Sequence, residues 1–329
     1  MEEFISNYKN NSNNWNYKDK LILAPMVRVG TLPMRMLCME YGADIVYSQE
    51  YMDDSINCWT REVNNNLIQY VAPSGKILFK TYKDEPLSFQ IGTADSIKAL
   101  RASQKVYNDV KAIDINMGCP LPFSTRSGKG AALLKNPEKI NDILKTLKRN
   151  LNKPITCKIR LLDNINDTIN LVKIIDNCNV DAFGVHCRYI ADRSKRERAK
   201  HEQMINIINE VNTPTIVNGD IFDLHHIIDV KEKTKADSLM IARGAIWNPS
   251  IFKKDKFINI DEVAKKYINY SKLTNNYLQN SKYVLKSMLC PQFKKIDLSR
   301  MISRCDTYKD LVNLIDNFEF SDYKVPKKI

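Results

Sequence analysis

Residues 113–134 read IDINMGCPLPFSTRSGKGAALL. The run from Ala112 to Ile115 is a strand signal. It breaks at Gly118 and Pro120 into a loop rich in Ser, Gly and basic residues and closes as the start of a helix. Cys119 stands at the break, where the backbone leaves the sheet, so its thiol is placed at the rim of a pocket. On its own it reads as a turn cysteine without chemistry as readily as a reactive one. Gly128-Lys129-Gly130 resembles a P-loop only superficially. No Gly stands five residues before Gly128 and Gly130 replaces the hydroxyl residue, which excludes nucleotide-triphosphate hydrolysis.

Outward from this stretch the same unit recurs. Eight apolar, β-branched runs alternate with helical stretches: LILAPM (21–26), ADIVYSQE (43–50), PLSFQIG (86–92), AIDINMG (112–118), PITCKIR (154–160), AFGVHCR (182–188), PTIVNGD (214–220) and SLMIARG (238–244). Each is nearly continuous in apolar residues, as in a strand buried on both faces, and each ends in polar residues or Gly. Eight such strands with alternating helices predict a TIM (β/α)8 barrel, whose function sits on the loops after the strands. The strand ends then supply Pro25, Met26, Glu50, Gln90, Asn116 with Cys119, Lys158 with Arg160, His186 with Arg188, Asn218 with Gly219, and Ala242 with Arg243 and Gly244.

Asn136-Pro137-Glu138 predicts a helix start, with Ile140, Ile143, Leu144 and Leu147 on its apolar face. Residues 66–82 predict a β-hairpin around Pro73-Ser74-Gly75, an excursion over the barrel rim. After Phe252 there are no more glycines and the spacing turns helical, which marks a second, all-helical domain. The expected organisation is a flexible leader (1–19), a barrel (20–254) and a helical domain (255–329). The last carries 14 Lys and Arg against 9 Asp and Glu.

The hydrophobic fraction of 43% and charged fraction of 27% are those of a globular protein, with no window apolar enough for a membrane span. Eight cysteines without a C-x-x-C pair argue against a zinc site and a disulfide scaffold, so a reducing cytoplasm is expected. A net charge of +12 suggests a polyanionic partner. The ends of the last two strands, Asn218-Gly219-Asp220 and Ala242-Arg243-Gly244, fit a phosphate site, although ordinary tight turns would read the same way. Lys158 and His186 end adjacent strands and can converge on one ring system. A Lys there suits a flavin's N1 and C2 carbonyl, and equally a Schiff base.

LAPMVRVGTLPMR, YGADIVYSQE, INMGCP, GKGAALL, TCKIR, VNGD and ARGAIWNPSIF resemble the tRNA-dihydrouridine synthases, most closely the eukaryotic branch that acts on position 20 of the D-loop. The resemblance runs over roughly residues 20–320. It implies FMN held by Pro25, Met26, Val27, Gln90, Lys158, His186, Asn218, Gly219, Asp220, Ala242 and Arg243, with NADPH as reductant. It implies Cys119 as the acid that protonates uracil C5 while hydride reaches C6, and Asn116 and Arg160 facing the base. The partner implied is tRNA, bound by a monomer without a metal. Arg188, Lys195, Arg196, Arg198 and Lys200, in a stretch with six basic and two acidic residues (188–200), are then the expected rim contacts to phosphate, although a solvated loop would read the same way.

Three features depart from the family pattern. Cys187 follows His186 where relatives usually have Gly, residues 189–193 lengthen the next loop, and no double-stranded-RNA-binding module of the kind animal members append is expected. Two rivals remain: an FMN barrel acting on a small enone or pyrimidine, and a tRNA-binding protein without catalysis.

Overall fold

A computed structural model describes residues 15–192, 197–253, 255–291 and 296–320. Its strands are β1 (Leu21–Leu23), β2 (Ile45–Tyr47), β3 (Tyr51–Met52), β4 (Thr60–Asn64), β5 (Leu67–Val71) and β6 (Ile77–Tyr82), followed by β7 (Leu87–Gly92), β8 (Ala112–Asn116), β9 (Ile155–Leu161), β10 (Ala182–Tyr189), β11 (Thr215–Asn218) and β12 (Ser238–Ile241). Eight of them run parallel in the order β2-β1-β12-β11-β10-β9-β8-β7, and pairing of β7 with β2 through Val46↔Leu87 and Tyr47↔Ser88 closes the ring. Each of the eight expected runs contains one barrel strand, and β3 adds a short extension beside β7.

Strand alternation sorts the side chains into two cores. Leu23, Val46, Phe89, Ile113, Cys157, Phe183, Val217 and Leu239 belong to the outer layer between barrel and helices. Ile22, Ala24, Ile45, Tyr47, Ala182, Ile216 and Met240 form a separate cluster that fills the lumen. Tyr17 joins that cluster at 2% exposure, with Trp15 packed edge-on against it at 5.9 Å. Its carbonyl accepts from Ser238 Oγ at 2.6 Å, and Asp19 N donates to Asp237 O at 2.8 Å. Residues 15–19 therefore correct the leader expectation: they plug the barrel, because two aromatic side chains find an apolar lumen to fill. The rest of the expected leader lies outside the described residues.

The hairpin forms with its turn at Gly75 (φ 79°), and a third strand, β4, extends it to an antiparallel sheet. This sheet is seated on the barrel by an aromatic nest. Phe79 meets Phe89 of β7 at 4.9 Å, and Trp59 meets Tyr51 at 4.9 Å, each T-shaped. Such pairs add about 0.5–1.5 kcal/mol beyond burial. The helix starting at Pro137 is capped by Asn136, whose side chain accepts from Lys139 N, and it buries the predicted apolar face.

Four helices, Ile260–Leu273, Leu278–Leu289, Ile296–Arg304 and Tyr308–Asn317, pack beside the barrel, and their apolar residues are continuous with its outer core. No helix among the described residues is long and apolar enough to cross a membrane.

Candidate active site

The inward positions of the last barrel residues converge at the C-terminal mouth. Parity places Gln90, Asp114, Asn116, Thr156, Lys158, His186, Asn218 and Met240 on the lumen side, and the register sets Asn116 beside Lys158, and His186 beside Arg160 and Asn218. The lower layer is a closed polar network. Asp114 accepts from Gln90 Nε2 at 2.7 Å and from Thr156 Oγ1 at 2.6 Å, and Gln90 Oε1 accepts from Asn116 Nδ2 at 3.2 Å. Burial pushes the Asp114 carboxyl up to about 6 even though Thr156, Gln90 and Lys158 favour its charge.

Above this network stands Lys158, whose ammonium has no hydrogen-bond partner among the described residues. Burial, with Arg160 adding repulsion, pushes it down to about 8. Gly184 makes the space, since a Cβ there would meet Lys158 Cγ at 3.4 Å. His186 is neutral: burial, reinforced by Lys158, Arg160, Arg188 and Arg243, holds it well below the usual range. Its Nε2 lies 3.0 Å from Arg188 Nη1 and so accepts from that guanidinium.

The cavity at the mouth is lined by Arg160, His186, Asn218, Gly219, Ala242 and Arg243, with Arg188 and Asp220 between them. Asn218 Nδ2 donates to Met240 O at 2.7 Å, fixing the amide. Asp220 pairs with both Arg188 and Arg243 and accepts from Ala199 N at 2.7 Å. Burial would raise its carboxyl, but the Arg188 hydrogen bond, Ala199 N and the two guanidinium charges outweigh that and hold it low. Arg243 also lies over the Phe222 ring at 5.1 Å. Gly219 (φ 127°) lets backbone approach the cavity, because a Cβ there would come within 2.9 Å of Ala199 Cβ and 3.3 Å of the His186 ring. A backbone cradle beside three Arg side chains, with a partnerless Lys deeper in, fits a phosphate carrying a ring system, as FMN does.

One arginine needs correction. Arg188, expected on the rim, is 5% exposed and points inward, because it shares strand parity with His186. Its Nε donates to Glu197 O at 2.8 Å. Arg160 also turns in, its Nε donating to Gly118 O at 2.8 Å. Of the other expected rim contacts, Arg198 is exposed and Lys200 is half-buried beside Asp192, whereas Lys195 and Arg196 lie outside the described residues. Cys187 points away from the lumen into the buried outer layer, so its replacement of Gly leaves the lumen side unchanged.

At the first strand end, Pro25, Met26 and Val27 form the turn whose Met26 carbonyl accepts from Val29 N and Gly30 N at 3.1 and 2.8 Å. Arg28 follows with φ 67°, and its N donates to Gln49 Oε1 at 2.7 Å. Asn280 of the helical region donates to Arg28 O at 2.7 Å, bracing this loop from outside the barrel.

The Cys119 loop is set by Asn116. Its Oδ1 accepts from Gly118 N at 2.9 Å and Cys119 N at 3.0 Å, so both ends of the amide serve the protein. Cys119 is half-buried, and burial, then the nearby Glu50 carboxyl, pushes its thiol up. Glu50, a strand end given no role by the sequence, is 9% exposed, with Ser124 Oγ donating to it at 3.3 Å.

The family described as Dihydrouridine synthase (Dus) matches residues 22–313. The chain is 37% identical over 310 residues to the tRNA-dihydrouridine(20) synthase (NAD(P)+) of Schizosaccharomyces pombe, covering 90% of this chain and 64% of that protein. The Saccharomyces cerevisiae enzyme of the same name is 36% identical, covering 83% of this chain and 78% of that protein. The tRNA-dihydrouridine synthase B of Vibrio cholerae is 34% identical over 73% and 72%. Among solved structures, a histamine dehydrogenase from Rhizobium sp. 4-9 shares the fold with a TM-score of 0.52 at 10% identity, over 81% of this chain and 51% of that one. A 2-naphthoyl-CoA reductase complex does so at 0.50 and 10%, over 86% and 56%. A match running through all eight barrel strands and into the last helix assigns this chain to the dihydrouridine synthase family.

Proposed function

We propose that the chain reduces uridine to 5,6-dihydrouridine in the D-loop of tRNA, at position 20 as the names of its yeast relatives state, with FMN bound in the barrel mouth and NADPH as reductant. The observation that carries this reading is the row Cys119, Lys158, His186 and Arg243 around one barrel mouth, a proton donor facing a partnerless ammonium and an anion cradle. FMN held there would supply the hydride that C6 of the base receives.

The chain's own residues do the rest. Arg243, with Gly219 and Ala242 beside it, would hold the phosphate, and Lys158 would offer the ring a positive charge. Pro25, Met26 and Val27 would add contacts from the first strand end, Asn218 and the neutral His186 offer fixed polar contacts, and Gln90 keeps the network beneath in place. Arg160 and Asn116 fix the Cys119 loop against the base through the Gly118 carbonyl and the Gly118 and Cys119 amides. Cys119 gives its proton to C5: the S–H bond breaks, its electron pair stays on sulfur, a C5–H bond forms, and solvent returns a proton to the thiolate. A thiol raised by burial stays protonated at neutral pH, as a donor must.

The target base has to leave its stack at a cost of a few kcal/mol, which contacts from Arg198, Arg196 and the basic region 255–329 offset. The protein acts as a cytoplasmic monomer in this reading, with its eight cysteines free. The test is Cys119→Ala followed by stopped-flow absorbance. Flavin content and reduction by NADPH stay normal, and reoxidation by tRNA slows about 100- to 10,000-fold. Reoxidation at the wild-type rate removes Cys119 from the chemistry.

A further inference from the structure

Glu50 ends β2's run beside the Cys119 loop and is used by nothing described above. Its carboxyl is nine-tenths buried, Oε1 accepts from Ser124 Oγ at 3.3 Å with the Cys119 and Asn116 side chains close by, and Oε2 has no hydrogen-bond partner among the described residues. An ionisable group left half-satisfied in a buried place costs stability and calls for an explanation. Two glycines bring it there. A Cβ at Gly92 would come within 2.5 Å of Glu50 Oε1, and one at Gly130 within 2.5 Å of Ser124 Oγ and 3.1 Å of Cys119 Cβ. Carboxyl, hydroxyl and cysteine are therefore packed into a space that both neighbours leave open by having no side chain. Ser124 is fully buried and lies against both Glu50 and the Cys119 thiol.

We propose that Glu50 is a positioning residue for Cys119: packed beside the cysteine across the buried Ser124, its carboxylate charge keeps the sulfur in its protonated, proton-donating form. This rests on the reading of Cys119 as the acid. The charged and titratable groups facing the pair are few. Lys129 lies near Glu50 but is itself paired with Asp53 and, at 3.3 Å, with Asp54. The Ser124 hydroxyl and Arg160 act on Cys119 in the opposite sense, favouring thiolate, and the Arg160 side chain is held by Gly118 O. Burial lifts Glu50 to about 7, so it gains its charge across neutrality. A second negative charge on the adjacent sulfur is then opposed most where thiols begin to ionise.

The test is the rate of Cys119 alkylation by iodoacetamide against pH in flavin-loaded protein, read by mass spectrometry of the Cys119 peptide because Cys58 is also exposed. Glu50→Gln keeps shape and Ser124 contact while removing the charge, so alkylation at pH 8 should be about tenfold faster. An equal or slower rate overturns the proposal. The unsubstituted protein provides a second measurement should the variant not fold. Its rate should rise by less than tenfold per pH unit through neutrality, as Glu50 ionises, whereas a plain one-thiol curve with a midpoint near about 8.5 overturns the idea. Faster alkylation in Glu50→Gln combined with normal tRNA turnover in Cys119→Ala would keep the Glu50 effect on the thiol and discard the acid role. The reverse pair of results would do the opposite.

Discussion

Asp220 holds Arg243 at the mouth of the barrel, accepting from Nη2 through the same oxygen, Oδ1, that accepts from Arg188. The anion cradle is thus closed by its own counter-charge, which keeps Arg243 ordered above Gly219 and Ala242. A phosphate entering there competes for the Arg243 guanidinium. Arg243→Ala should weaken flavin retention by about 1.5–3 kcal/mol, the range for a charge-assisted hydrogen bond. Equilibrium dialysis of the variant reads this directly, and undiminished retention would move the phosphate elsewhere.

Arg198 and Arg188, ten residues apart in sequence, should behave as opposites. Arg198 is exposed, so Arg198→Ala should lower the slope of log K for tRNA against log salt by about one, through one lost counterion release. Arg188 is buried against His186 and Asp220, so Arg188→Ala should leave that slope alone and impair flavin retention instead. Filter binding of tRNA at several salt concentrations separates the two.

Lys158 is expected to cost the flavin-free protein stability at neutral pH. Its ammonium titrates near about 8 in the fold, against 10.5 when unperturbed. Between those values the unfolded chain binds more protons, so this lysine's contribution to stability rises with pH across the window, and its full cost stands below pH 8. At about 1.36 kcal/mol per pH unit, discounted because the mouth is partly open to water, that cost is about 1–3 kcal/mol. Lys158→Met should therefore stabilise the flavin-free protein by that amount at pH 7, with the advantage fading toward pH 10.5. Urea unfolding at pH 7 and pH 10 checks both magnitude and sign, and a variant weaker at pH 7 would contradict it.

Tyr17→Ala should destabilise the protein by about 3–5 kcal/mol, the range for deleting a large buried aromatic. Thermal unfolding measures it. An unchanged midpoint would return residues 15–19 to a loosely attached leader.

The barrel was legible because strands buried on both faces announce themselves as apolar runs that stop at polar or Gly residues, and the mouth followed from where they stop. Asn136-Pro137 was legible because capping is local. β4 was not: TREVN is exposed at every position and leaves no burial pattern to read. The inward turn of Arg188 had a signal, its two-residue spacing from His186, but the pull of a basic loop suggested the rim. Its pairing with Asp220 joins residues 32 apart, and Glu50 meets Ser124 across 74, so neither contact is written in local sequence. A still longer separation, 252 residues, hid the tie between Asn280 and Arg28.

With Trp15 and Tyr17 stoppering the lower end, the lumen is a cup and not a tube. Among the described residues, whatever is held above Lys158 is reached from the Cys119 side. On the proposed reading, the nicotinamide that delivers electrons and the nucleobase that receives them must use one doorway, so they take turns. Reductant and tRNA should then exclude each other, and a large excess of either should slow the enzyme by occupying the entrance the other needs.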